Sequence, residues 1–128
     1  MKSQTAYEEA YDSLFNTLDY LEQQLSRQRY LVGSQITEAD WRLFPTLVRF
    51  DVAYYSLFKC NRKRIADYPN LSNYMRELYQ TPGVAYTVKP RYCVINYYSI
   101  ARLNPTEIIP KGTPVDLERT HDRARLAA

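Results

Sequence analysis

Residues 35–44, Gln-Ile-Thr-Glu-Ala-Asp-Trp-Arg-Leu-Phe, contain two interlocking signals for the start of a helix. The first is a capping box, in which Thr37 accepts the free N–H of residue 40 and the Asp40 carboxylate accepts the N–H of Thr37. The second is a hydrophobic staple between Ile36 and Trp41. A threonine cap contributes roughly 1 kcal/mol, a sizeable part of the about 5–15 kcal/mol that stabilises a whole domain. These four residues therefore predict a fixed helix start around which the rest of the chain packs.

Apolar residues recur at steps of three and four along several stretches of the chain, which is the spacing of one helix face. The first helix is expected to open at a second capping box, formed by Thr5 and Glu8. A helix over 37–60 is apolar on more than one face and should be the central, most buried one. Pro45 lies inside it and predicts a kink rather than an end. Residues 92–95 would also suit a strand, but nothing else in the chain could pair with it. The predicted helices cover residues 5–29, 37–60, 69–81, 83–86 and 91–102.

The composition limits the classes of fold and site. Thirteen tyrosines occur against three glycines, which argues against a turn-rich β architecture and favours a core or cavity wall that carries hydroxyls. The only cysteines are Cys60 and Cys93, and the only histidine is His121, so a zinc site and a thioredoxin-like redox motif are excluded. This cysteine usage predicts a reduced, cytoplasmic protein, and no apolar run approaches the about 20 residues of a membrane span.

The helical pattern ends after Leu103, where prolines and charged residues take over. We expect residues 1–4 to be a start or linker, 5–103 a helical bundle, 104–118 a wrapping coil and 119–128 a mobile tail. Ile108, Ile109 and Val115 suggest that the coil packs on the bundle. The predicted fold class is therefore an all-α bundle with an ordered C-terminal coil.

Few residues of the chain could carry out chemistry. No nucleophile with an evident base can be assembled, and Cys60 and Cys93 are interpreted as packing residues. Asp51 falls within a buried helix, where pairing with Arg49 or another arginine is expected, although a carboxylate in a ligand cavity is the alternative. Tyrosine pairs at 54–55 and 97–98 could donate hydroxyl protons or stabilise developing negative charge, although their spacing alone favours ordinary packing residues.

The net charge of +3 is too balanced for a nucleic-acid footprint spread over the whole domain. The one basic cluster contains Lys59, Arg62, Lys63 and Arg64, without interleaved stacking aromatics. It is interpreted as a solvated helix end, where cations complement the helix dipole. Nucleic-acid binding through this cluster is the weaker hypothesis.

The sequence Tyr30-Leu31-Val32-Gly33, together with the cap at 36–40, resembles the C-terminal helical domain of glutathione transferases. Longer strings resemble the glutathionyl-hydroquinone reductases, the xi or omega-like class. The likeness extends over about residues 4 to 114. Its motifs lie at residues 47–51, 58–61, 65–71, 97–99, 104–105 and 108–110.

The resemblance implies a division of labour between two domains. In that family a thioredoxin-like N-terminal domain holds glutathione, a co-substrate, and the catalytic cysteine, while the helical domain supplies the wall for a quinone-type substrate. It implies that Tyr97 helps to protonate the departing ring and that Tyr98 and Tyr54 are wall residues. The resemblance implies no metal and no cofactor within this chain. It also implies a homodimer that forms through the helical domains.

Two departures from the family pattern lead to the functional hypotheses. The thioredoxin-like half is absent from this sequence, which predicts that the chain is inactive without it. The family motif usually has a histidine before the tyrosine pair, where this chain has Asn96. It usually has a second histidine three residues after the pair, where this chain has Ile100 or, beside it, Ala101. The first hypothesis is therefore the substrate-binding domain of a glutathionyl-hydroquinone reductase. The alternative is a non-catalytic helical module that binds proteins or an aromatic ligand.

Overall fold

The computed structural model describes residues 3–112 and 115–126, and within these ranges it contains helices and no strand. This confirms the all-α fold class. An isolated antiparallel bridge joins Tyr30 to Gly33 in the turn after the first helix. The α-helices are α1 (Gln4–Leu25), α2 (Glu38–Arg49), α3 (Tyr55–Leu57), α4 (Pro69–Tyr79) and α5 (Pro90–Tyr98). A π-helical stretch at Phe50–Tyr54 joins α2 to α3, and 3-10 turns occur at Ile65–Asp67, Ala85–Thr87 and Arg123–Leu126.

Several helix ends differ from those predicted. Ser3, rather than Thr5, caps α1, because its hydroxyl accepts the Ala6 N–H at 3.1 Å. The helix ends at Leu25, four residues before the predicted end. The helix beginning at Pro69 starts as predicted, with proline at a first-turn position where its missing N–H costs nothing. By contrast, α5 ends at Tyr98, and residues 99–103 form turns.

The segment predicted as one helix over 37–60 has three parts. Pro45 lies inside α2, and the helix continues past it to Arg49. The π-helical stretch then follows. This geometry is rare in proteins as a whole, but where it occurs it is often part of a functional site. Its last residue is Tyr54, after which α3 forms a single turn.

The start of α2 is tied to the middle of α4 by Asp40, which is 0% exposed. One carboxylate oxygen accepts the Thr37 N–H at 2.9 Å, which is the aspartate half of the capping box. The other accepts the Leu31 N–H at 3.0 Å and the Tyr74 hydroxyl at 2.6 Å. The Asp40 amide donates to the Thr37 carbonyl at 3.1 Å, while the Thr37 hydroxyl has no hydrogen-bond partner within the described residues. The cap therefore depends mainly on the carboxylate of Asp40.

The most buried helix is α4 and not α2, which corrects the prediction. It packs against α1, α2 and the C-terminal 3-10 turn, so little of its surface meets water. Its polar residues Ser72, Arg76 and Glu77 are buried beside the apolar ones. Glu77 accepts hydrogen bonds from Arg29 and from the Tyr30 hydroxyl, which explains how this helix buries a carboxylate. The apolar core lies between α1, α2, the π-helical stretch and α4; its members include Phe15, Leu18, Leu25, Phe44, Leu47, Phe50, Leu71, Tyr74 and Leu78.

The residues after α5 contradict two expectations. Ile108 and Ile109 are 69% and 50% exposed, so they do not pack on the bundle, whereas Val115 packs against the core as predicted. Residues 119–126 are not a free tail: Arg123 is 0% exposed, and its guanidinium donates to main-chain carbonyls at the end of α1 and just after it. Residues 1, 2, 113, 114, 127 and 128, which belong to the predicted linker, coil and tail, lie outside the described residues.

Asp51 does not pair with an arginine, which corrects another prediction. Its carboxylate accepts the N–H groups of Ile65 and Ala66, at 2.6 and 3.1 Å. Burial raises the pKa of Asp51, and the two hydrogen bonds oppose that shift. The side chain holds the 3-10 turn at Ile65–Asp67 against the π-helical stretch.

The fold predicts an alkaline transition at Tyr68, which is 1% exposed and donates to Asp19 at 3.3 Å. Burial, and then the charge of Asp19, raise the pKa of Tyr68 from 10.0 to about 12. The neutral hydroxyl is therefore favoured in the folded state, so its contribution is complete below pH 10 and is lost between pH 10 and 12. Relative to Tyr68→Phe, the wild type should lose up to about 3 kcal/mol across this window.

Urea unfolding of both proteins at successive pH values, with absorbance at 295 nm to follow tyrosinate, measures this difference. Parallel loss of stability in the two proteins would contradict the role of Tyr68.

Candidate functional site

Two tyrosines from separate helices meet where the π-helical stretch faces α5. The hydroxyl oxygens of Tyr54 and Tyr97 are 3.2 Å apart, and their rings make an edge-to-face contact with centroids 5.7 Å apart and planes at 85°. Phe58 contacts Tyr97 in the same manner, with a centroid distance of 6.1 Å. These aromatic contacts fix the Tyr97 ring and leave its hydroxyl paired with another phenol.

Tyr97 lines an open cleft of about 410 Å³ between α2 and α5. This volume is within the range of small-molecule sites. Phe44, Tyr92 and residues 87–90 form the rest of its wall. Within this lining, two sets of side chains follow the spacing i, i+3 and i+4: Pro45, Val48 and Arg49 on α2, and Cys93, Asn96 and Tyr97 on α5.

The cleft is positively charged. Its described lining contains Arg49 and Lys89 and no carboxylate. Burial raises the pKa of Tyr54, as does the hydrogen bond to Tyr97, whereas a hydrogen bond from Arg49 and the charge of Arg49 oppose the rise. Burial likewise raises the pKa of the Cys93 thiol, and the positive charge of Arg49 again opposes the rise. A thiol with a raised pKa is a poor nucleophile at neutral pH, so the phenol hydroxyls are the groups suited to chemistry here.

The structure separates the predicted tyrosines. Tyr97 lies in the cleft wall and Tyr54 lies behind it, in contact through the hydroxyl. Tyr54 and Tyr98 are both predicted as wall residues, and neither lines the cleft; Tyr98 is 6% exposed. Ile100 also lies outside the cleft, whereas Asn96 is part of it.

Sequence reasoning missed Arg49 and Lys89 as functional residues. Arg49 was considered only as a partner for Asp51. The sequence signal that could have identified Arg49 is the spacing i, i+3 and i+4, which occurs on both α2 and α5. Residues at this spacing share one helix face, so two such helices can form facing walls. Recognising it required knowing that these two helices are neighbours.

The remaining candidates lie elsewhere. His121 accepts the Arg123 N–H at 3.1 Å through Nδ1. Burial raises the pKa of the Cys60 thiol, so this cysteine is also unsuited to attack. Among residues 3–112 and 115–126, no three His, Cys, Asp or Glu side chains are grouped so that they could hold a metal. None of the helices in these ranges is both long enough and apolar enough to cross a bilayer.

The cations of the basic cluster are mostly engaged within the fold. Arg62 pairs with Asp12 at 2.9 Å, and Arg64 pairs with Asp67 at 3.2 Å. Lys63 lies 4.1 Å from the centroid of the Tyr68 ring. Such contacts leave little free positive charge for a phosphate backbone.

Comparison with known proteins decides the family. The family model described as glutathione S-transferase, C-terminal domain, matches residues 4–77. This chain belongs to that family. The glutathionyl-hydroquinone reductase PcpF of Sphingobium chlorophenolicum is 53% identical over 111 residues, and YqjG of Escherichia coli, another such reductase, is 48% identical over 122.

Solved transferase structures have the same fold. The xi-class transferase of Natrialba magadii superposes with a TM-score of 0.96 at 41% identity, over 99% of this chain. The glutathione-bound structure of YqjG gives 0.93 at 48% identity, over 96% of this chain.

This transferase domain accounts for only part of its relatives. The aligned region covers 86% of this chain but 36% of PcpF, and 94% of this chain but 37% of YqjG. The two solved structures are each covered to 40%. The chain thus spans less than half the length of the relatives it matches.

Proposed function

We propose that this chain is the substrate-binding part of a glutathione-dependent reductase of glutathionyl-hydroquinones, with Tyr97 as the proton donor. The observation that carries the proposal is the Tyr54–Tyr97 hydroxyl pair, 3.2 Å apart, in which Tyr97 opens onto a cleft with apolar walls. The relatives named as glutathionyl-hydroquinone reductases support the choice of reaction. The nucleophilic thiol belongs to a thioredoxin-like domain, a separate part of the complete enzyme.

In the proposed reaction, the thiolate of the partner domain attacks the sulfur that joins glutathione to the ring. The sulfur–ring bond breaks, its electron pair stays on the ring carbon, and a mixed disulfide with glutathione forms. The Tyr97 hydroxyl donates a proton to that carbon, which gives the free hydroquinone. Thiolate from a second glutathione then releases oxidised glutathione from the mixed disulfide.

The cleft supports this step by stabilising the tyrosinate that remains. Tyr54 can donate its hydroxyl hydrogen to the Tyr97 oxygen as negative charge develops. Arg49, which also lines the cleft, provides the nearby positive charge. Proton donation of this kind contributes roughly 10²–10⁴-fold to a rate.

The test combines this chain with a thioredoxin-like domain supplied as a second polypeptide. The chain alone should neither turn over glutathionyl-menadiol nor bind immobilised glutathione, whereas the mixture should reduce the substrate. Tyr97→Phe should then lower kcat by about 10²-fold. Tyr86→Phe is the matched control, because Tyr86 is 85% exposed and lies outside the cleft. Turnover by the chain alone, or full activity of Tyr97→Phe, would contradict the proposal.

One observation favours the non-catalytic alternative. Asn96, where the family motif usually has histidine, lies in the cleft wall. A binding module would be stabilised by quinones, by about 2.7 kcal/mol at 100 times the dissociation constant, yet show no turnover in the mixture. If Asn96→His produced turnover where the wild type had none, the alternative would be supported.

Association through exposed apolar surface is part of the proposal. Tyr92, Ile95 and Ile108 are 62%, 44% and 69% exposed. Large apolar side chains exposed in this way are typical of surfaces that contact another protein. We expect the thioredoxin-like domain and a second copy of the chain to cover it. Light scattering of the chain, alone and mixed, measures both associations.

A further inference from the structure

The cleft carries more positive charge than the proposed proton transfer uses, because that step calls on Arg49 alone. Of its described lining residues, Arg49 and Lys89 are cationic and none is acidic. The five ion pairs found among the described residues use other cations, namely Arg29, Arg42, Arg62, Arg64 and Arg125. Two positive charges therefore face one cleft without a carboxylate to neutralise them.

The two cations are placed beside apolar walls. Arg49 ends α2, and Pro45 and Val48 precede it on the same helix face. Lys89 immediately precedes α5, on which Tyr92 and Tyr97 lie. A ring held between these walls would have a guanidinium at one side and an ammonium in the same cleft.

The arginine is suited to a planar anion. A guanidinium presents paired N–H donors that match a carboxylate or sulfonate, whereas an ammonium acts as a point charge. The Arg49 charge also reaches Tyr54 and Cys93, since it opposes the burial-driven rise in the pKa of both. Arg49 therefore lies close to Tyr54 and also lines the cleft.

We propose that this cleft selects an aromatic ring bearing a carboxylate or sulfonate group, with the anion held by Arg49 and assisted by Lys89. This inference rests on the proposed function in taking the ring as part of the substrate. Arg49 is then a specificity-determining residue, which prefers acidic rings over neutral rings of the same size. Glutathione also carries carboxylates, so the test must distinguish an acidic ring from the peptide.

The experiment is equilibrium dialysis of the full 128-residue chain at pH 7 against three probes. The probes are 2-naphthoate, a charged ring, 2-naphthol, a neutral ring of the same shape, and glutathione, a peptide without a ring. Wild type should bind 2-naphthoate roughly tenfold more tightly than 2-naphthol, and added salt should reduce the difference. Arg49→Gln should remove the preference, so that 2-naphthoate binds no more tightly than 2-naphthol. Arg49→Lys should retain part of it.

Arg42→Gln is the matched control, because Arg42 is an exposed arginine on α2 that pairs with Glu38 and does not line the cleft. It should bind all three probes as the wild type does. Equal binding of the two rings by the wild type would overturn the inference and leave the proposed function standing. Glutathione binding that competes with 2-naphthoate and depends on Arg49 would also overturn it, by assigning the cations to the peptide. Failure of both rings to bind would overturn the inference and the proposed function together.

Discussion

Replacing Asp40 with alanine is expected to lower the free energy of unfolding by about 3–5 kcal/mol. The carboxylate is fully buried and accepts three hydrogen bonds, from the Leu31 N–H, the Thr37 N–H and the Tyr74 hydroxyl. Each donor left without an acceptor in the interior costs about 1–3 kcal/mol. The substitution would therefore loosen the start of α2 and its connection to α4 at once.

Urea denaturation followed by circular dichroism measures this loss. Asp40→Asn should cost less than Asp40→Ala, because the amide oxygen can still accept hydrogen bonds while its NH₂ group cannot. Glu38→Ala is the control, since Glu38 is an exposed acid in the same first turn and its pair with Arg42 is largely solvated. A loss below 1 kcal/mol for Asp40→Ala would show that the three donors find other partners.

The second large effect is expected at Arg123, where replacement by methionine should cost about 3 kcal/mol. The guanidinium is 0% exposed and donates to the carbonyls of Leu25, Gln28 and Arg29 at 2.8–2.9 Å. A helix leaves its last carbonyls without partners, and Arg123 satisfies the one at the end of α1. Its Nε has no hydrogen-bond partner within the described part of the chain, which reduces the stability that the buried guanidinium contributes. Burial lowers the pKa of Arg123.

The same unfolding assay tests this prediction, with limited proteolysis as a second readout. Deletion of residues 120–128 should destabilise the chain about as much as Arg123→Met. Arg125→Ala should change stability by less than about 1 kcal/mol, because its contacts with Asp122 and with the Asn70 side chain are both exposed. An unchanged unfolding midpoint for the deletion would refute the anchoring role of Arg123.

The helices themselves could be predicted from the sequence because their signals are local. The cap at Thr37 and the proline at Pro69 mark observed helix starts. The burial of α4 could not be predicted, because its buried carboxylate finds its partners far along the chain. Glu77, for example, binds Arg29, 48 residues away. No local pattern of polarity records such a pairing.

The candidate site could likewise be predicted only in part from the sequence. Tyr97 was reached through resemblance to a family, and the structure places it in a cleft. The role of Arg49 depends on α2 and α5 being neighbours, which periodicity within either helix does not state. The anchoring of Arg123 was hidden by composition, since prolines and charges before it are typical of mobile segments.

The contact between Arg123 and Leu25 joins residues 98 positions apart. While the chain is being synthesised, the end of α1 therefore lacks its guanidinium until Arg123 has left the ribosome. The helices can pair earlier, but the end of α1 gains this hydrogen bond only after Arg123 has emerged. A nascent chain stalled before that point is the form that chaperones and proteases would find open.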